Sequence, residues 1–156
     1  MIQLEPIGVV RTQHRDAADV PLQTYRSPTV HGRVVVASSY HEGLRGLEGF
    51  DYVHLIVLLD RVGSTQLTVE PLLVPGSGLR VGVFATRHPA RPNRLALSLV
   101  RLEQMTEEGF EFSGVDLLDE TPLLDIKPYE PRIDSPWTHP VRTGWYGQTG
   151  ATQTKD

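Results

Sequence analysis

Apolar residues along this chain recur every second position in short runs, and glycine, proline or polar clusters interrupt them at close intervals. The pattern predicts strands over residues 2–11, with Ile7, Val9 and Val10 apolar and Pro6 near a strand start or edge. Further strands are predicted over 30–38, 52–59, 82–85, 97–102, 110–113 and 123–129. Glu107-Glu108-Gly109 reads as a hairpin turn into Phe110 and Phe112, and the PGSG run at 75–78 as a turn in a looser segment, 64–80. Residues 41–49 predict a short helical turn closed by Gly43, Gly46 and Gly49. The run YVHLIVLL at 52–59 is almost continuously apolar, which predicts a buried central strand with His54 as a hydrogen-bonded core residue. Residues 12–29 lose the apolar period and form a long loop, a length that in a compact domain tends to be functional. Short strands, frequent turns and no long amphipathic helix predict an all-β fold: a small single-domain β-barrel with long functional loops. The barrel is expected over residues 1–143. Residues 144–156 form a polar tail that frays beyond Tyr146, with Trp145 and Tyr146 covering apolar surface.

Composition narrows the class. At 156 residues, 39% hydrophobic and 22% charged, the chain suits one globular domain with a proper core. No apolar run reaches the roughly 18 residues of a membrane span, and the first ten residues lack a signal-peptide pattern. The absence of cysteine excludes disulfides and thiolate chemistry and disfavours structural zinc, so no metal is expected and a cytoplasmic location is the default. A net charge of −4 argues against nucleic-acid binding by the whole surface but leaves room for a local basic face.

Two oppositely charged blocks provide that room. In residues 82–103 an apolar strand breaks into a loop stiffened by Pro89 and Pro92, which also bias His88 and Arg91 toward extended geometry. The loop and the strand after it carry Thr86, Arg87, His88, Arg91, Asn93, Arg94 and Ser98. No carboxylate occurs between Glu70 and Glu103, so Arg80, Arg87, Arg91, Arg94 and Arg101 have no local partner. Such a loop is either solvated surface or an anion or nucleic-acid site. Residues 103–134 reverse the sign, with ten carboxylates against Lys127 and Arg132. The two blocks together fit a two-substrate site, or charged pairs that stabilise neighbouring strands. Asp60-Arg61 ends the apolar strand abruptly, at a place for ligand contacts or merely a water-facing end. Asp125 and Lys127 alternate on one strand and so face the same side, as acid–base partners or as a structural pair.

The runs ATRHPARPNRLALSLVRL (85–102) and VDLLDETPLLDIKPY (115–129), with IGVVRT (7–12) and GLRGLEGFDYVHLIVLLDR (43–61), resemble the TsaA/TrmO-like family across nearly the whole chain. The resemblance implies a small β-barrel that binds S-adenosylmethionine. It also implies a homodimer that methylates N6 of threonylcarbamoyl-adenosine at position 37 of tRNA. Cofactor contacts are then expected from Pro21 and Gln23, Asp60, Arg61, Arg87, Leu97, Asp116, Leu117, Leu118 and Asp119. Substrate contacts are expected from His88, Arg91, Arg94 and Ser98. Asp125, Lys127, Tyr129 and Asn93 are the catalytic candidates, with Asp125 first and Asp119 second as acceptor of the N6 proton. The chain departs from the family pattern in three places. RPNPIG is Arg91-Pro92-Asn93-Arg94-Leu95-Ala96, DGT is Asp119-Glu120-Thr121, and Asp60 stands where His is common. The appended C-terminal domain of the longer bacterial members is also expected to be lacking. These changes bear chiefly on the acceptor, for which another nucleobase or a small metabolite is an alternative. A non-catalytic RNA-binding barrel is the rival outside enzymes.

Overall fold

The computed structural model describes residues 1–135 and 138–148. Six strands close into an antiparallel barrel: β1 (Gly8–Arg11), β2 (His31–Val36), β3 (Tyr52–Leu58), β6 (Leu95–Thr106), β7 (Gly109–Ser113) and β8 (Thr121–Pro128). Their spatial order is β1-β2-β7-β6-β3-β8, with β8 returning to β1 through Gly8↔Leu123 and Val10↔Thr121. Closure leaves no free edge among these six strands. A small two-stranded ribbon, β4 (Thr68–Val69) with β5 (Val81–Gly82), stands apart from the barrel sheet.

Alternation puts one face of each strand inside. Val10, Val34, Val36, Val53, Leu55, Val57, Val100, Phe110, Phe112 and Leu123 fill the interior, and Val115 and Leu117 complete the cluster. Each such side chain contributes about 1.5–3 kcal/mol by leaving water. Phe110 and Phe112 sit edge to face, with ring centroids 6.4 Å apart.

Several sequence expectations shift. The first strand starts at Gly8, because Met1, Ile2 and Leu4 lie exposed and the ladder begins only where the Ile7 N–H meets the Leu123 carbonyl. Strand geometry after Val81 ends at Gly82, and Val83–Ala85 turns as a 3-10 helix that buries Val83 and exposes Phe84. The expected helical turn becomes two 3-10 turns, Ser38–Leu44 and Leu47–Gly49, divided by Gly46 at φ 88°. The long loop contains two more, Ala17–Asp19 and Thr24–Arg26. β3 is buried on one face only: Val53, Leu55 and Val57 point inward while Tyr52, Ile56 and Leu58 stay on the outside. A closed barrel has a single interior, so a continuously apolar strand leaves half its residues on the outer surface. His54 is therefore not in the core. It lies outside against the Tyr129 ring, 5.8 Å between centroids, with Nε2 3.3 Å from Asp134. The polar tail begins with a 3-10 turn, Gly144–Gln148; residues 149–156 lie outside the described residues.

Closure between β1 and β2 depends on a bare backbone at Gly8, where a Cβ would stand 2.1 Å from the Val35 carbonyl oxygen. Gly8→Ala must separate the two strands and should cost roughly 2–4 kcal/mol of stability. Denaturant unfolding checks this, and a loss under about 0.5 kcal/mol, the size of an ordinary surface substitution, would show that the barrel tolerates the gap.

Candidate functional site

The inner faces of the strands run out at one end of the barrel, where loops replace them. Three segments meet there: the continuation of β3 (Leu59, Asp60, Arg61, Val62), the start of β6 (Leu95, Ala96, Leu97, Ser98) and the approach to β8 (Asp116, Leu117, Leu118, Thr121). Two loops complete the enclosure, one through Val20, Pro21, Leu22 and Gln23 and one through Thr86, Arg87, Pro89 and Arg91. The result is a cavity of about 540 Å³. That volume lies in the range of small-molecule and cofactor pockets, as does a largely apolar lining with a few convergent polar groups.

Both loops are held rigidly. The first is stitched to the acidic segment. Thr12 Oγ1 donates to the Leu117 carbonyl at 3.0 Å, Ser27 Oγ to the Val115 carbonyl at 2.6 Å, and the Asp119 N–H to the His14 carbonyl at 2.8 Å. Gln23 begins the Thr24–Arg26 turn without using its side chain as a cap, which leaves its amide for the cavity. The second loop is braced from within. Thr86 Oγ1 donates to the Val83 carbonyl at 2.8 Å and accepts the His88 N–H at 3.0 Å. Arg91 donates to the Thr86 and His88 carbonyls at 2.9 and 3.3 Å. His88 Nδ1 accepts the Ala90 N–H at 3.1 Å, and burial followed by the nearby Arg91 charge lowers the His88 pKa. The imidazole therefore stays neutral and shapes the turn.

Two residues at the rim adopt left-handed backbone without being glycine: Arg94 at φ 53° and Glu120 at φ 63°. Each costs on the order of 1 kcal/mol, and such strain concentrates at functional sites. Glu120 occupies the family's glycine position and keeps the glycine-like conformation. Arg94, which stands where the resembled motif has its second proline, adopts a φ that proline cannot reach.

Two aspartates three residues apart meet opposite fates. Asp119 is 3% exposed, with Oδ1 3.0 Å from Arg11 Nε and accepting the Thr12 N–H at 3.1 Å. Its Oδ2 is 2.9 Å from Arg15, close but not aligned as a hydrogen bond. The Asp119 carbonyl accepts Arg61 Nη2 at 2.6 Å. Asp116 opens onto the cavity, where Oδ1 accepts Ser98 Oγ at 2.7 Å. Burial pushes the Asp116 carboxyl up to about 6, against the opposing effects of the Ser98 hydrogen bond and the Arg87 charge.

The cavity brings together Pro21, Gln23, Asp60, Arg61, Arg87, Leu97, Asp116, Leu117 and Leu118 from the expected cofactor set, and Arg91 and Ser98 from the expected substrate set. Asp119 lies behind the wall. His88 faces a small adjoining cleft of about 30 Å³. Arg94 and Asn93 are outside the lining. Asp125, Lys127 and Tyr129 are also elsewhere, on the outer face of the barrel. There Lys127 Nζ meets Asp125 Oδ2 at 3.0 Å, and Tyr129 stacks edge-on to Tyr52 with centroids 6.4 Å apart. Sequence reasoning missed Val20, Leu22, Val62 and Leu72 as wall residues; isolated apolar positions in otherwise polar loops were the available signal. Trp145, expected with Tyr146 to cover apolar surface, lines the adjoining cleft beside Arg87, where its Nε1 donates to the Ala85 carbonyl at 2.7 Å and its ring stacks on Tyr146.

Such an end-of-barrel cavity, apolar with a half-buried carboxylate and an arginine-bearing rim, is that of a small-molecule-binding β-barrel. Residues 9–135 match the family described as the tRNA-methyltransferase O N-terminal domain, and the chain belongs to that family. A probable S-adenosyl-L-methionine-binding protein of Pyrococcus abyssi is 40% identical over 93% of this chain and 76% of its own length. The tRNA (adenine(37)-N6)-methyltransferase of Escherichia coli is 33% identical over 85% of this chain and 60% of its own. The crystal structure of TrmO from Pseudomonas aeruginosa superposes with a TM-score of 0.75 at 34% identity, covering 92% of this chain and 62% of that one. The chain thus spans less than two thirds of the length of these last two proteins.

The two aspartates should respond oppositely to amide substitution. Asp119→Asn leaves Arg11 and Arg15, themselves 41% and 74% exposed, facing a neutral group and should cost about 1–3 kcal/mol. At Asp116 the folded state holds the proton more tightly than the unfolded chain, so stability falls as pH rises to about 6 and stays lowered above it. Asp116→Asn should therefore raise the melting temperature at pH 8, by up to the equivalent of roughly 2–3 kcal/mol, and change it little at pH 4. Calorimetric scans at both pH values decide, and equal destabilisation by both variants at pH 8 contradicts the assignment.

Proposed function

We propose that this chain is the barrel of an S-adenosylmethionine-dependent methyltransferase that acts on tRNA, methylating N6 of threonylcarbamoyl-adenosine at position 37. The observation that carries this reading is the end-of-barrel cavity, formed by the segments that carry the family motifs. The residues present fit the cofactor. Leu95, Leu97, Leu117, Leu118 and Val62 form an apolar slot suited to an adenine ring, while Asp116, Asp60 and Gln23 supply acceptors for a sulfonium charge and ribose hydroxyls. When bound, the cofactor supplies an electrophilic methyl group. The barrel holds donor and acceptor in line and excludes water. Arg87 reaches the cavity from the rim, and Arg91 and Arg94 extend the basic surface toward a phosphate backbone. Asp119 supports the cofactor segment from behind and does not touch the ligand.

Incubation with labelled cofactor and tRNA, taken from cells able or unable to make the threonylcarbamoyl group, tests this directly. Label is expected only in nucleosides from the modified tRNA. Equal labelling of both tRNAs, or of small molecules alone, would assign a different acceptor; no saturable cofactor binding would favour a non-catalytic RNA-binding barrel. Arg87→Ala should cut activity strongly with the melting temperature within a few degrees of the parent, because an exposed arginine contributes little to stability. Apparent tRNA affinity should fall steeply with salt as phosphate contacts release counterions.

A homodimer and a cytoplasmic location, where tRNA is modified, complete the proposal. The outer faces of β3 and β6 pair Ile56↔Leu97 and Leu58↔Leu95, with Leu97 44% and Tyr52 43% exposed. This apolar face is continuous with the cavity wall and with the outer surface that carries Asp125, Lys127 and Tyr129. A second copy seated there would put those three residues at an interface next to the cavity. Sedimentation should show a dimer that Tyr52→Asp weakens; a monomeric parent at high concentration refutes it.

A further inference from the structure

Arg87 reaches the cavity without a tether of its own. Among the described residues it has no hydrogen-bond or ion-pair partner, and its charge acts on Asp116 from an exposed position. Its place is therefore set by the backbone that carries it, residues 85–88. From Thr86 onward that backbone is braced by the Thr86, His88 and Arg91 side chains. Val83, at the start of the turn, is tied to the ribbon by its N–H, 2.9 Å from the Leu67 carbonyl. Between these two anchors lies Ala85. Its carbonyl accepts from a residue 60 positions away, Trp145 Nε1, at 2.7 Å.

Trp145 belongs to the Gly144–Gln148 turn, beyond residues 9–135 that match the family domain. Its ring stacks on Tyr146, with centroids 3.8 Å apart and planes 25° from parallel, which fixes the direction of the indole N–H. The pair lines a cleft with Leu22 and Gln23 of the long loop, Leu72 of the segment after β4, and Arg87. Those four residues also line the main cavity, so the aromatic pair stands behind one side of it. The cleft keeps only about 30 Å³, room for about one or two waters and too little for a base or a sugar. The rings therefore act on the site from behind.

We propose that Trp145 is a positioning residue of the cofactor site. Its indole N–H, aimed by the stack on Tyr146, holds the Ala85 carbonyl and so sets the backbone from which Arg87 enters the cavity. The Gly144–Gln148 turn is then a strap across the gap between the long loop and the arginine loop. This rests on the S-adenosylmethionine-binding reading. Two separable contributions follow from the geometry. The donor fixes where the Arg87 side chain starts, so its loss lets the guanidinium leave the ligand and lowers affinity. The bulk of the ring backs Leu22, Gln23 and Leu72, so its loss opens that side of the cavity to water. Trp145→Phe removes the first and keeps the second; Trp145→Ala removes both.

The test uses the full chain. Calorimetric affinities for S-adenosylmethionine and S-adenosylhomocysteine are compared among the parent, Trp145→Phe, Trp145→Ala, Arg87→Ala and the double variant Arg87→Ala/Trp145→Phe. Trp145→Phe should weaken both ligands by about three- to tenfold, the range of one hydrogen bond, and Trp145→Ala by more. In the Arg87→Ala background the same Phe substitution should change affinity by less than about twofold, because the residue it positions is gone. Amide exchange in the ligand-free protein gives a second readout. The Thr86 and His88 N–H groups should exchange faster in Trp145→Phe, by about the same factor as the affinity loss, while those of β3 exchange as in the parent. An equal further loss in the Arg87→Ala background would make Trp145 act independently of Arg87 and overturn the proposal. A Trp145→Phe variant that binds both ligands like the parent, or unchanged Thr86 and His88 exchange, also overturns it. Unchanged cofactor affinity with weakened tRNA binding would make the aromatic pair an RNA contact, with the same consequence. If Trp145→Ala fails to fold, Trp145→Phe and the amide exchange still decide. A parent without saturable affinity for either ligand removes the cofactor reading itself and this proposal with it. A binding parent with an unaffected Trp145→Phe variant leaves that reading standing and removes only the present assignment.

Discussion

The carboxylate of Asp119 is the tie on which the site's architecture depends. One buried group gathers Arg11 from the end of β1, Arg15 from the long loop and the Thr12 backbone N–H, while its own carbonyl receives Arg61 from the continuation of β3. Two distant stretches of chain, residues 11–15 and Arg61, are thus fixed to the segment that precedes β8. A buried charge compensated this fully contributes specificity of arrangement more than net stability, because desolvation offsets much of the Coulombic attraction. Its consequence is a rigid rear wall for the cavity. The left-handed backbone at Glu120, one residue on, is sustained by the same contacts, through the Glu120 N–H to the Val10 carbonyl and the Glu120 carboxylate 3.3 Å from Arg11.

With the wall fixed by Asp119, Asp116 is left open to the cavity. Backbone hydrogen bonds and the Thr12 and Ser27 hydroxyls hold the chain on either side of it, so its orientation does not depend on its own charge being neutralised. The opposing loop is built likewise. Arg91 Nη1 and His88 Nδ1 brace the turn, while Arg87 stays exposed at the rim with its charge acting on Asp116. Residues of the same type thus divide between scaffold and surface according to which backbone carbonyls lie within their reach.

Much of this was legible in the chain. Period-two alternation, turn residues at close spacing and the lack of an amphipathic helix lead to an all-β barrel, since each rests on local geometry that neighbouring residues determine. The segments that line the cavity were legible for the same reason: Asp60-Arg61 ends a strand, Pro89 and Pro92 stiffen a loop, and DLLD is a run of acceptors and apolar groups between two strands. The charge reversal between residues 82–103 and 103–134 also survives in the structure, as Arg87 facing Asp116.

What a residue does at a given place was decided only by closure. Asp116 and Asp119 are the same side chain three positions apart, and nothing local says which will meet two arginines from distant sequence and which will face an apolar cavity. Asp125 and Lys127 share a face, as the strand period requires, yet that face turns outward because β8 pairs with β1 and β3 around a single interior. His54 and the outer half of YVHLIVLL read as core for the same reason in reverse: hydrophobicity along a strand records what it can bury, not how many sides the sheet will cover. Local chemistry determined the strands, the turns and the stock of polar groups. Long-range pairing set the inside, the outside and the ionisation of each carboxylate, because burial and charge neighbours exist only once the barrel has closed.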